Sequence, residues 1–156
     1  MPTSKRFPSS IREPPLNIYQ HLEDTEHVEP LFATIIRNLS RLRRLEIISC
    51  LDDFDHLSER LSGSAPVLEH LWVANFTDYE VKFPRAILGG QLPKLSSLTL
   101  WLFRTVLRGS NFPSLTRFNF MTGAKISVLN LTLFFKRCPL LEFIQIRLDP
   151  SMGCGL

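Results

Sequence analysis

The sequence predicts an α/β fold, built as a short curved array with parallel strands side by side on one face and helices and loops returning along the other. Three observations carry this. One spacing of apolar residues recurs five times along the 156-residue chain, with leads at Leu42, Leu68, Leu95, Leu115 and Leu141. A proline stands two residues ahead of the lead in four of the five copies. The leads are separated by 26, 27, 20 and 26 residues, close to the ~20–29-residue period of stacked strand-and-helix units.

The elements run in order along the chain. Pro15-Leu16-Asn17-Ile18-Tyr19 reads as a degenerate first strand whose Leu16-x-Ile18 matches Leu45-x-Ile47. Glu29 to Leu39 reads as a helix, with Pro30 at its first position and Leu31, Ile35 and Leu39 along one face. The full copies are Ser40 to Ile47 (ending at Cys50), Pro66 to Val73 (ending at Phe76), Pro93 to Leu100 (ending at Phe103), Pro113 to Phe120 (ending at Gly123), and Pro139 to Ile146 (ending at Asp149). Within each, the last two apolar positions alternate as a strand requires. The lead leucine, three residues earlier, enters the same core from the turn. Proline fixes φ and lacks an N–H, so it is expected to end the preceding helix and start that turn.

Between strands, Leu57 and Leu61 stand four apart in a short helical stretch over 55–61. The segment 77–92, with Pro84 and Gly89-Gly90, reads as loop with a short helix, and 104–112 is too short for much helix. Ser127 to Arg137 reads as a helix, with Val128, Leu131, Phe134 and Phe135 on one face, Ser127 as N-cap, and Lys136 and Arg137 at the negative end of the dipole; a buried strand is the competing reading. Residues 1–14 are expected to be a flexible N-terminal segment, 15–149 the repeat domain and 150–156 a tail.

These residues resemble a known family. Leu42-x-x-Leu45-x-Ile47-x-x-Cys50 is similar to the cysteine-containing type of leucine-rich repeat, as is Cys138-Pro139-x-Leu141. The helix–strand order from Glu29 to Cys50 resembles the repeat region of fungal F-box proteins. The resemblance covers residues 15–149 and implies a leucine-rich repeat solenoid. It also implies substrate recognition in an F-box-type ubiquitin ligase receptor, cytoplasmic or nuclear. The F-box itself is not found: Glu13-Pro14-Pro15-Leu16 is a faint echo of its opening, and the residues after Leu16 do not continue it. Association with a ligase scaffold therefore requires an F-box supplied elsewhere. The alternative is a stand-alone or self-associating interaction scaffold.

A partner would meet the outward strand residues on the concave face. These are Arg44, Glu46 and Ile48; His70, Trp72 and Ala74; Ser97, Thr99 and Trp101; Arg117, Asn119 and Met121; Phe143, Gln145 and Arg147. Large exposed aromatics are costly unless covered, and Trp and Arg dominate binding hot spots. The expected protein- or peptide-binding residues are Arg44, Trp72, Trp101, Arg117, Met121, Phe143 and Arg147, with the arginines steering acidic groups. Packing of either tryptophan under the 77–92 segment is the competing expectation.

Other classes find less support. The formal charge is +3 and the only dense basic cluster is Arg41, Arg43 and Arg44, a solvated face rather than a nucleic-acid site. Three cysteines, Cys50, Cys138 and Cys154, form no disulfide framework. No apolar run spans a membrane, the first fifteen residues lack a signal-peptide core, and the sequons at Asn38, Asn75 and Asn130 read as chance matches. No nucleophile, metal or phosphate motif is present, so no enzyme activity, cofactor or metal is expected. The four histidines are scattered, Cys138 reads as a structural thiol, and Asp52-Asp53-x-Asp55 lacks the glycine and glutamate of a calcium loop. No polar cap follows the fifth strand, which predicts an exposed apolar edge there and, with it, a longer native protein, a marginal fold or self-association as a homodimer through that edge.

Overall fold

A computed structural model describes residues 14–22, 26, 28–50, 61, 63–77, 81–82, 87–101, 103–104, 111–123 and 127–148. In chain order these form β1 (Leu16–Leu22), α1 (Val28–Arg37), a 3-10 turn (Leu39–Arg41), β2 (Leu42–Ser49), β3 (His70–Asn75), β4 (Val81–Lys82), a 3-10 segment (Ile87–Gly90), β5 (Ser97–Trp101), β6 (Phe103–Arg104), β7 (Arg117–Thr122), α2 (Val128–Lys136) and β8 (Phe143–Leu148). Six strands make one sheet in the order β1-β2-β3-β5-β7-β8, every pair parallel. Strands β4 and β6 pair in parallel as a separate two-stranded sheet. The chain is therefore an α/β protein whose main sheet adds strands in sequence order, as expected.

The register explains the apolar spacing. Successive side chains of a strand point to opposite faces. Leu45, Leu71, Leu98, Phe118 and Ile144 stand side by side in one row, and Ile47, Val73, Leu100, Phe120 and Ile146 in the next. Through Phe120 all of these are buried, together with the lead leucines 42, 68, 95 and 115. Each such side chain contributes about 1.5–3 kcal/mol by leaving water, so the two rows and the leads carry about half of the buried apolar core. A third inward row at the strand ends is polar in its middle, with Ser49, Asn75 and Thr122 buried between Leu22 and Leu148. There Asn75 Nδ2 donates to Thr77 Oγ1 at 2.8 Å. A buried Asn75 cannot carry a glycan, which agrees with reading its sequon as chance.

The prolines start turns, as expected, and the hydrogen bonds define which turn. Each sits second in a reverse turn in which the lead leucine N–H donates back three residues: Leu68 to Ala65, Leu95 to Leu92, Leu115 to Phe112 and Leu141 to Cys138, all at 3.2 Å. Proline presets φ at that turn position. The residue before each proline is buried, namely Ala65, Leu92, Phe112 and Cys138. The first copy lacks proline and makes the equivalent bond from Leu42 N–H to the Leu39 carbonyl. A carbonyl ladder then ties one turn to the next. The Glu69 carbonyl accepts from the N–H groups of Ser96 and Ser97, the Ser96 carbonyl from Thr116 and Arg117, and the Thr116 carbonyl from Glu142 and Phe143.

Three further expectations need correction. In β1, Ile18 rather than Leu16 lies beside Leu45, because the register shifts between Leu16 and Asn17; Gln20 then falls beside Ile47. Pro30 is the third residue of α1, still within the first turn, where its missing N–H costs nothing. Helix α2 buries only Phe134; Val128 is 78% exposed, Phe135 is exposed and Leu131 is half-buried. Ser127 occupies the N-cap position but makes no side-chain capping bond. Cys50 directly follows the end of β2, the strand-end place expected for it, and is exposed, while Ser49 before it is buried. The terminal segments expected over 1–13 and 150–156 lie outside the described residues. So does the helical stretch expected over 55–61 except for Leu61, which is buried.

Candidate binding face

All seven expected partner-binding residues, Arg44, Trp72, Trp101, Arg117, Met121, Phe143 and Arg147, occupy the outward rows of the sheet, as the strand pairing shows. They do not converge on one place. A cavity of about 230 Å³ is lined by Trp72, Trp101, Met121 and Arg147, joined by Thr99, Asn119, Gln145 and the edge of Phe120. Arg44, Arg117 and Phe143 are not part of it.

The strands place these groups simply. Ala74, Trp101, Met121 and Arg147 form one row across β3, β5, β7 and β8, and Trp72, Thr99, Asn119 and Gln145 form the row before it. Trp72 and Trp101 meet diagonally, with ring centroids 5.5 Å apart and planes at 65°, an edge-to-face pair. Phe76, just past β3, extends the cluster, standing at 86° to Trp101 with centroids 6.1 Å apart. Ala74 is fully buried although it lies on the outward side, since its methyl sits among much larger neighbours.

The polar atoms are unevenly used. Trp72 Nε1 is shielded from solvent and has no hydrogen-bond partner among the described residues, a state that costs about 1–3 kcal/mol for a buried donor. Asn119 Nδ2 donates to Thr99 Oγ1 at 3.3 Å. With its amide oriented to suit its neighbours, Gln145 Oε1 accepts from Arg147 Nε at 3.3 Å and Nη2 at 3.0 Å. The exposed Arg147 guanidinium is thus held at the rim with further N–H groups to offer. Arg44 is committed elsewhere: its Nε is 2.9 Å from Glu46 Oε1, and its guanidinium lies over the Tyr19 ring at 5.9 Å. It is therefore a poor candidate for steering acidic groups.

Thr99, Asn119 and Gln145 are the cavity-lining residues that residue type alone passes over. Their signal is positional, since they fall in the same outward rows as the tryptophans. Among the described residues no three His, Cys, Asp or Glu side chains gather as metal ligands. Burial pushes the Cys138 thiol up to about 11, against a small opposing pull from Arg137; it is a neutral packing group before Pro139. No helix among the described residues is long and apolar enough to cross a membrane. No protein-family model, curated protein or solved structure matches the chain.

Proposed function

We propose that the chain is a leucine-rich repeat solenoid that acts as a protein-binding module, with its open sheet face taking a short peptide segment. The carrying observation is the Trp72–Trp101 pair on an otherwise open face, with the Trp72 Nε1 donor shielded from water and unpartnered. The turn-and-ladder repeat supports the solenoid. The size of the cavity supports a side-chain ligand, because drug-sized molecules fill ~300–1,000 Å³. In this reading an apolar or aromatic side chain enters between Trp72, Trp101 and Met121. A neighbouring carboxylate meets Arg147.

The chain contains two tryptophans, and both lie in the site, so intrinsic fluorescence reports on it alone. Titration with short peptides carrying an apolar residue followed by Asp or Glu is expected to give a saturable shift. Replacing Trp101 with Ala weakens binding by about 30-fold or more, as for a hot-spot aromatic of ~2 kcal/mol. Trp72→Ala combined with Trp101→Ala, which leaves no tryptophan to report and is therefore titrated by calorimetry, abolishes binding while the denaturation midpoint stays close to wild type. Collapse of the fold in the double variant shows instead that the pair is packing. The assignment extends, on the resemblance of the repeats, to substrate recognition in an F-box-type ubiquitin ligase receptor; a stand-alone or self-associating scaffold is the competing assignment. Recovery of ligase scaffold subunits on the tagged chain separates them.

A further inference from the structure

We propose that two copies of this chain pair antiparallel through β8 about a twofold axis passing at Ile146, joining the two sheets into one. The interface places Gln145 of the partner subunit beside Arg147 at the rim of the binding cavity.

The two ends of the sheet differ. At the β1 end, α1 buries Val28, Phe32 and Ile35, and Leu22 is buried too. At the β8 end the interior rows run out into solvent: Ile144 is 43% exposed and Leu148 65%, although both point to the core side of the sheet. Leu129, Leu133 and Leu140 of the same terminal repeat are exposed as well. Of the eleven large apolar side chains exposed among the described residues, eight lie between Val128 and Leu148. A concentration of this kind marks an interface.

The backbone is also poised for a further strand. Phe143 N–H donates to the Thr116 carbonyl. Alternation along the strand then turns the backbone groups of Gln145 and Arg147 toward β7, and those of Ile144, Ile146 and Leu148 toward the open edge. Such an edge pairs with another strand unless it is blocked, and β8 has no proline or inward charge to block it.

The occupant is set by the order of the side chains. Read in either direction about Ile146, the core-side positions are apolar: Ile146 meets Ile146, and Ile144 meets Leu148. On the open face Gln145 meets Arg147 twice, so no two like charges oppose each other. An axis at Gln145 instead sets Leu148 against Glu142 and leaves its apolar surface wet. Head-to-tail addition of a second copy's β1 extends the rows in register and brings Gln20, which lies beside Ile47, into the row of Ile146. Only the twofold arrangement at Ile146 keeps every core-side position apolar. An axis perpendicular to the sheet also keeps both copies' helices on one side and both cavities on the other, giving a face with two adjacent peptide sites.

Sedimentation equilibrium of the whole chain tests this. The wild type is expected to be a dimer from low micromolar concentration, and Leu148→Lys a monomer. Leu148 is exposed within its own subunit, so that variant keeps the fold, and its circular dichroism is expected to be unchanged. Gln145→Glu, which sets a carboxylate opposite the partner's Arg147, tightens the dimer several-fold, and Gln145→Lys loosens it by a similar factor. A monomeric wild type, a larger assembly, or a Leu148→Lys dimer of undiminished affinity overturns the proposal. Weakening by both Gln145 variants overturns the register.

Discussion

Phe134→Ala separates the observed packing of α2 from the packing its helical periodicity suggests. Phe134 is 1% exposed and is the only buried residue of α2. Its ring lies 4.6 Å from that of Phe118 and 6.2 Å from that of Phe112, centroid to centroid. Those two rings come from β7 and from the reverse turn before it, so Phe134 pins the helix to the preceding repeat at two points. Truncating a buried phenylalanine costs about 3–5 kcal/mol, through lost transfer energy and an incompletely collapsed cavity. Each ring pair accounts for ~0.5–1.5 kcal/mol of interaction beyond area. A value near ~4 kcal/mol is a large share of the ~5–15 kcal/mol total for a small domain. Urea denaturation gives the loss directly. Hydrogen exchange is expected to show amides of 128–136 losing protection while β2, β3 and β5 keep theirs, because those strands have buried rows of their own. Val128→Ala serves as the control, since a 78% exposed side chain changes stability by only ~0.5 kcal/mol. If Phe134→Ala costs less than ~1.5 kcal/mol, or Val128→Ala costs as much, the helix is held by the wider face that the periodicity implies and this reasoning fails.

Three further outcomes are expected. The Cys138 thiol, raised by burial from 9.0 to about 11, keeps its proton in the folded state at pH values where the unfolded chain has lost it. Stability contributed by this group therefore falls as pH rises from about 9 toward about 11; the urea midpoint should drop over that window, and Cys138→Ala should flatten the drop. Gly63 has φ +126, and a Cβ there would stand 2.7 Å from Leu39 Cδ1; Gly63→Ala is expected to lower stability by roughly 1–3 kcal/mol, read from the thermal midpoint. Glu69→Gln removes a surface ion pair in which Arg43 Nη2 lies 2.7 Å from Glu69 Oε1. It should cost under ~1 kcal/mol in urea denaturation, because the ladder runs through the Glu69 backbone carbonyl and not its carboxylate.

The strands and their faces are legible in the sequence because period two combined with one-sided burial leaves no freedom: a slip of one residue would exchange Val73 for Trp72 in the core. A slip of two changes nothing in that pattern, which is why the pattern alone matches Leu16 to Leu45 although Ile18 is the residue beside it. The strand-end residues follow the same parity. Strand β2 runs on through Ser49, so alternation from Leu45 and Ile47 carries Ser49 inward and turns Cys50 out. Helix α2 is apolar on every side, so its sequence cannot say which face finds a partner; rings from elsewhere in the chain decide it. The turns are ambiguous because a proline two residues ahead of a leucine fits both a helix end and a reverse turn, and only the hydrogen bond distinguishes them. Within the binding face, the withdrawal of Arg44 is readable from Arg44-x-Glu46, two opposite charges on the same side of one strand.

The geometry of the proposed peptide site limits which peptides it would accept. Trp101, Met121 and Arg147 share one row on consecutive strands β5, β7 and β8, so two strand spacings of ~4.8 Å separate the aromatic anchor from the guanidinium's own backbone. An arginine side chain reaching back toward the cavity it lines shortens that span by roughly half. What remains corresponds to one or two residues of extended peptide at ~3.3 Å each. An acidic residue immediately after the apolar anchor, or one position later, can therefore meet Arg147 while the anchor stays between the tryptophans. One four positions later overshoots β8. Its carboxylate then lies beyond the sheet edge, unless the partner subunit of the proposed dimer extends the sheet there. Peptides differing only in this separation should divide into binders and non-binders by tryptophan fluorescence, and Arg147→Gln should level the two groups. Equal affinity for all separations in the wild type would show that the carboxylate is not read by Arg147 at all.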